Sequence, residues 1–266
     1  MKVGHQTYSW EMLGDEWRGS ADDILNAVAA AGYAGVEFSN VMIGSYWDRP
    51  ADFRRALDGR RLKLAAFAYA ADDGFTDPAR READLAGVQK ALELAAQFSV
   101  PLCLAGPSSP SGEAAEEKLL QAFQLYNEAA RLGRKRGVVV AVHPHSHHTS
   151  LVLSAQQYDR LLEATEASGL MFNPDTGHIV RGGQKLLECF QRHRERIVHV
   201  HCKDVDAGGR WQLMGKGVCD FPRLFEWLGA QGYDGWLISE EESEIVRLDV
   251  SSAIAQNRAY FRSLGQ

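Results

Sequence analysis

Four polar clusters, each directly behind a run of apolar and β-branched residues, carry side chains that ligate metals. They are His143 and His145 in VAVHPH (140–145), Asp175 and His178 in MFNPDTGH (171–178), His199, His201 and Lys203 in VHVHCKD (198–204), and Glu240 in LISEE (237–241). One residue from each, His143, Asp175, His201 and Glu240, gives two imidazoles and two carboxylates. This mixed nitrogen and oxygen set suits Mn²⁺ or Co²⁺ first, with Zn²⁺, Fe²⁺ or Mg²⁺ also compatible, and does not suit a thiolate-demanding ion. A lone strand histidine is commonly a hydrogen-bonded core residue, and the run Glu240, Glu241, Glu242 taken alone is commonly a solvated face. Four such residues in phase point to a metal. Their separations of 32, 26 and 39 residues lie near the roughly 30 residues that one βα unit of an eight-fold barrel needs. Cys202 alternates to the strand face opposite His201 and is left out of the set.

The elements that must position these residues alternate along the whole chain. Short β-rich runs fall at 2–7, 35–38, 62–69, 100–105, 138–143, 170–175, 197–202 and 236–239, and segments of helical periodicity separate them. Ser20 opens a helix that ends before Gly32, Ser154 opens one that ends before Gly169, and Asp249 leads into one that ends before Gly265. No composition break or low-complexity tract divides the 266 residues, so a single (β/α)8 barrel domain over 1–266 is expected. The loops 72–78 and 106–112 each follow a strand and suit the top of such a barrel. A doubly wound open sheet would need a glycine-rich phosphate loop after the first strand, and HQTYSW at 5–10 offers none. In a barrel, side chains at the C-terminal strand ends face the mouth, so the four clusters are expected to share one pocket.

Composition narrows the partners. A net charge of −6 gives no electrostatic footprint for nucleic acid or an anionic membrane, which makes a small neutral or metal-bridged ligand the easier partner. No window reaches the roughly 18 consecutive apolar residues of a membrane span, and the N-terminus lacks the apolar stretch of a signal peptide. A cytoplasmic protein is expected, and a homo-oligomer is compatible with the sequence. The four cysteines form no CxxC pair and are expected to be reduced and structural.

The segments DTGH (175–178), VHVHCKD (198–204), GKGVCDF (215–221) and GYDGWLISE (232–240) resemble the xylose isomerase-like barrels of the sugar phosphate isomerase/epimerase superfamily. The likeness extends over nearly the full chain and is specific mainly over its second half. Within that superfamily the stretch from His143 to Glu240 is most similar to the inosose dehydratases, which also carry a histidine-rich fifth strand followed by a threonine, here HPHSHHT (143–149). The resemblance implies a divalent metal ligated from strands five to eight by His143, Asp175, His201 and Glu240. It also implies a strand-two glutamate, Glu37, that binds substrate hydroxyls. Trp10 and Phe67, in or beside the expected top loops, could cover the C–H face of a sugar ring.

Keto-sugar epimerases of this superfamily carry a glutamate at the strand-five ligand position, where this chain has His143. A neutral, ligating imidazole cannot act as a second carboxylate base, so symmetric proton transfer between two glutamates is weakened. Dehydration next to a ketone asks for less symmetry. There a metal stabilises the enediolate left when the α-proton departs, one base takes that proton, and one acid helps hydroxide leave. Glu240, His145 or His178 is the candidate base. Lys203 is placed to stabilise oxyanion charge, and His178 could also contact substrate. The expected function is therefore a metal-dependent lyase acting on a keto-polyol. The alternatives are a metal-dependent isomerase or epimerase of a keto-sugar and a non-catalytic sugar-binding barrel.

Overall fold

The computed structural model describes residues 1–109 and 115–266, so residues 110–112 of the expected loop 106–112 lie outside the described residues. Among the described residues eight parallel strands alternate with helices, and the fold is the expected (β/α)8 barrel. The chain forms two compact units, residues 1–65 with 199–266, and residues 66–198.

The first unit contains β1 (Lys2–Gln6), α1 (Tyr8–Glu11), α2 (Ala21–Ala31), β2 (Gly35–Ser39), α3 (Pro50–Gly59) and the start of β3 (Lys63–Tyr69). β1 pairs with β2 in parallel through Gly4 and Gly35, and the Lys63 amide donates to Ala34 O at 3.1 Å. Ser20 caps α2 reciprocally: its hydroxyl accepts from the Asp23 amide, and the Asp23 carboxylate accepts from the Ser20 amide. Gly32 ends the helix at φ 83°, a left-handed conformation that an L side chain adopts only with strain. Between those stops Ile24, Leu25 and Val28 are fully buried, each contributing about 1.5–3 kcal/mol of apolar burial.

The second unit continues β3 from Ala66 and adds α4 (Arg81–Phe98), β4 (Leu102–Ala105), α5 (Ala115–Lys135), β5 (Val140–His143), α6 (Ala155–Ala164), β6 (Met171–Phe172), α7 (Thr176–Arg181) and α8 (Leu186–Arg192). Its strands pair in parallel and in sequence order: Phe67 opposite Leu102, Cys103 opposite Ala141, Ala141 opposite Met171, and Phe172 bridged to Ile197. Ala66, Cys103 and Ala141, one small residue from each of three neighbouring strands, form a core cluster with Met171 and Val198. Small side chains at matching depth let parallel strands tilt and pack in layers.

The chain returns to the first unit at His199, directly before β7 (Val200–Cys202). A two-stranded antiparallel hairpin, β8 (Asp204–Val205) and β9 (Trp211–Gln212), precedes α9 (Phe221–Ala230), β10 (Trp236–Ser239) and α10 (Ile245–Ser263). β10 pairs in parallel with both β1 and β7, which sets His201 beside Ile238. α10 is broken at Asp249 (φ −161°, ψ 96°), whose carboxylate accepts from the Ser252 amide at 2.9 Å and so starts the helix anew at the position expected from sequence. All four cysteines are buried free thiols. Among the described residues no helix is long and apolar enough to cross a membrane.

Candidate functional site

In the first unit, the strand ends hold a chain of buried charges of alternating sign. Glu37, on β2, has no exposed surface, and its Oε2 lies 2.6 Å from His199 Nε2 and 3.0 Å from His201 Nε2. His199 and His201 are two residues apart on one strand and share a face, so a single carboxylate can bridge both rings. The other nitrogen of His201, Nδ1, lies 2.6 Å from Glu240 Oε2. Glu240 Oε1 in turn accepts from Lys203 Nζ at 2.6 Å, and Lys203 also donates to Glu242. Glu241, between them, faces the other way and accepts from Asn257 Nδ2 at 2.7 Å and from the Ser243 amide at 2.6 Å. That strand-like alternation resolves the acidic run 240–242 into two roles.

The electrostatics follow from this packing. Burial opposes charge on the His201 imidazole, but the Glu37 and Glu240 carboxylates outweigh it and raise its pKa to about 10. Burial likewise opposes charge on Glu37, while His201 and His199 hold its carboxyl below the usual carboxylate range. Tyr8, on α1, is pushed up by burial and by the Glu242 carboxylate, with Lys203 opposing. Glu11, on the same helix, is raised by burial although Ser39 Oγ donates to it at 2.7 Å. Sequence reasoning did not single out Glu242, Tyr8 or Glu11. Only the lysine at 203, which must be compensated if buried, could have hinted at a second carboxylate beside Glu240.

The segment after β7 is fixed by Asp204. Its fully buried carboxylate accepts from four backbone amides, those of Val205, Gly215, Gly217 and Cys219, at 2.9–3.1 Å. A Cβ on Gly217 would lie 2.3 Å from both Asp204 Oδ1 and Val205 O, so only glycine permits this approach. The hairpin brings the Trp211 ring to 4.8 Å from Lys203 Nζ, within range of a cation–π contact.

In the second unit, the ends of β5 and β6 carry imidazoles. His143 Nε2 lies 3.9 Å from Asp175 Oδ2, too long for a hydrogen bond and within the span of two ligands of one ion held at about 2.0–2.2 Å from each. Asp175 Oδ1 caps α7 by accepting from the His178 amide at 2.7 Å, whereas its buried Oδ2 makes no hydrogen bond to any of the described residues. The His178 ring is set by Ser146, whose amide donates to Nδ1 at 2.9 Å, so the neutral ring carries its proton on Nε2. His145 Nδ1 lies 2.5 Å from Ser150 Oγ. Both His143 and His145 contact His178 ring to ring, with centroids 5.6 and 6.2 Å apart.

Of the residues expected from sequence, His201, Glu240, Lys203 and Glu37 come together in the first unit, and His143, Asp175, His145 and His178 in the second. Trp10 and Phe67 depart from the expectation of aromatic faces open at loops. Trp10 is 1% exposed and Phe67 0%. Trp10 lies on the short helix α1, its ring edge-on to His5 and tilted against Trp17, so packing takes up its faces. Phe67 sits inside β3 rather than beyond its end, opposite Leu102. Both oxygens of Glu37 face imidazoles rather than an open cleft.

The family described as "Xylose isomerase-like TIM barrel" matches residues 25–264. The inosose dehydratase of Lacticaseibacillus casei is 27% identical over 252 residues, covering 84% of this chain and 82% of that protein. Among solved structures, the 3-keto-D-glucoside 4-epimerase YcjR of E. coli is similar with a TM-score of 0.78 at 18% identity, covering 99% of both chains. The IOLI protein, solved with a zinc atom, is similar with a TM-score of 0.78 at 15% identity, covering 99% of this chain and 98% of that one.

Proposed function

Because the chain belongs to the xylose isomerase-like TIM barrel family, we propose that it is an enzyme of sugars or polyols, a divalent metal-dependent lyase that dehydrates a keto-polyol of the inosose type. His143, Asp175, His201 and Glu240 are the proposed ligands. Asp175 supports the fit: one of its oxygens is committed to the backbone, while the other, buried, makes no hydrogen bond to any of the described residues. Two nitrogens and two oxygens suit Mn²⁺, Co²⁺ or Zn²⁺, and zinc accompanies the IOLI relative.

The bound ion would supply Lewis acidity toward the ketone oxygen and its neighbouring hydroxyl. The protein's own groups divide the proton work. Glu240 takes the proton from the carbon next to the ketone. Lys203, kept charged between Glu240 and Glu242, stabilises negative charge developing on the ketone oxygen. His178, with its proton on Nε2, delivers it to the departing hydroxide, and His145 is the reserve for that role.

The observation that carries dehydration over epimerisation is the group facing Asp175, the imidazole of His143 rather than a carboxylate. A neutral imidazole serving as a ligand does not return a proton to the opposite face of a substrate, as a second glutamate would. Loss of water needs only one base and one acid of unequal strength. The inosose dehydratase relative supports the same reading. The isomerase or epimerase reading is supported by the likeness to the 3-keto-D-glucoside epimerase.

One experiment separates the two. Protein dialysed without chelator is expected to hold about one divalent ion per chain. With Mn²⁺ or Co²⁺ in D₂O it is expected to convert an inosose to an enone-like product that absorbs in the ultraviolet. Deuterium appearing at the α-carbon of a 3-keto-sugar without loss of water would establish the isomerase reading instead.

A further inference from the structure

His201 has two ring nitrogens, and a metal can use only one that carries no proton. Its Nε2 lies 3.0 Å from each oxygen of the Glu37 carboxylate, and its Nδ1 points at Glu240. Both nitrogens face a carboxylate, but Glu240 is itself a proposed ligand: with an ion between Nδ1 and Glu240 that nitrogen carries no proton, and Nε2 bears the hydrogen that Glu37 accepts. Glu37 is itself held from the far side. His199 Nε2, 2.6 Å from Oε2, stands one strand repeat below His201 with its ring 5.7 Å away, and all three residues are buried.

We propose that Glu37, steadied by His199, is a positioning residue that fixes the ring orientation and tautomer of His201, leaving Nδ1 to the metal. Glu37 then acts through His201 and does not touch substrate. The inference rests on reading His201 as a ligand. The physical logic is that of a carboxylate behind a ligating histidine, which sets the tautomer, raises the basicity of the ligand and typically accounts for 10–100-fold in metal affinity. Glu37→Gln keeps the size of the side chain but presents an amide that both donates and accepts. It cannot accept from two imidazoles with both of its heavy atoms, so the His201 ring is free to place its hydrogen on Nδ1 instead.

The test uses the full chain and Zn²⁺ alone. Competition against a chelating dye is expected to give Glu37→Gln a Kd about 10–100-fold weaker than wild type, at an unchanged stoichiometry of about one. Long-range ¹H–¹⁵N spectra of the zinc-loaded wild type are expected to place the His201 hydrogen on Nε2. In Glu37→Gln the same spectra are expected to show Nε2–H and Nδ1–H forms together. His199→Gln, which retains a donor toward Glu37 but holds it less firmly, is expected to bind about threefold to tenfold more weakly and to keep the wild-type tautomer. It also provides the measurement if Glu37→Gln does not fold. Unchanged affinity and tautomer in Glu37→Gln, or an unchanged Kd in His199→Gln where only that variant folds, would overturn the proposal. So would a second zinc ion in the wild type that Glu37→Gln loses, since Glu37 would then be a ligand. A wild type that binds no zinc overturns the metal reading itself, a result distinct from the others.

Discussion

In the first unit, Lys203 is 1% exposed and lies between the carboxylates of Glu240 and Glu242, with His201 and Glu37 continuing the alternation of charge. In the second unit, His145 and His178 are set by the hydroxyl of Ser150 and the backbone amide of Ser146, while His143 stands off Asp175 by 3.9 Å. The same residue types are thus held in two ways. The first cluster is a network of mutual compensation, in which removing one member strands the rest in a poorly polarisable interior. In the second, neutral groups help orient the His145 and His178 rings, and the loss of one ring is expected to fall more on proton transfer than on stability. One region should therefore be fragile in stability and the other fragile only in turnover.

The strongest test of that contrast is Lys203→Met. Two buried carboxylates would lose their shared cation, and thermal unfolding is expected to register a loss of about 3–5 kcal/mol together with loss of activity. Adding Glu242→Gln to that variant is expected to recover part of the stability and none of the activity. A loss under about 1 kcal/mol would collapse the distinction between the two regions. On the other side, His178→Asn preserves an acceptor for the Ser146 amide but removes the Nε2 proton. Turnover is expected to fall about 10²–10⁴-fold while the melting curve moves little; a large drop in melting temperature would show that the second cluster is also a structural network. Gly217→Ala probes the frame around Asp204. Its Cβ would push against backbone and carboxylate oxygens at 2.3 Å, and a loss of about 2 kcal/mol is expected by denaturant titration.

The smallest effect belongs to Asp84, where the second unit sets like charges together. Burial and the neighbouring Asp73 raise its pKa to about 6, against partial relief from Arg80. A folded-state pKa above the unfolded one, about 3.9, means that the folded chain holds the extra proton between those values. This contribution is therefore full below about pH 4, declines as pH rises toward 6 and is lost above it. Asp84→Asn is expected to be more stable than wild type by about 1 kcal/mol at pH 7 and no more stable at pH 4, as read from melts at both. A gain that persists at pH 4 would mean that the carboxyl is not under this strain.

Much of the scaffold was legible because it is periodic. Ser20, Ser154 and Asp249 mark helix starts, glycines mark exits, and the strand ends at His143, His201 and Glu240 recur in step with the βα unit. Those signals are local, and local geometry delivers them. What escaped depends on contacts between residues distant in sequence. The β8–β9 hairpin has strands of two residues, too short for any alternation to register, and it is held by a carboxylate reaching amides up to 15 positions away. In sequence Glu242 looks like any solvated acidic residue; only the buried Lys203 that donates to it sets it apart. The burial of Trp10 and Phe67 is not legible in sequence, because proximity to a loop says nothing of which way a ring turns once packed.

The four amides gathered on Asp204 bear on how a ligand would be received. A segment held by its own buried anchor has already given up its conformational freedom during folding, so a molecule arriving there does not have to quench it. Recognition by that stretch would resemble docking onto a finished surface, with its association rate limited by encounter and orientation rather than by waiting for a loop to close.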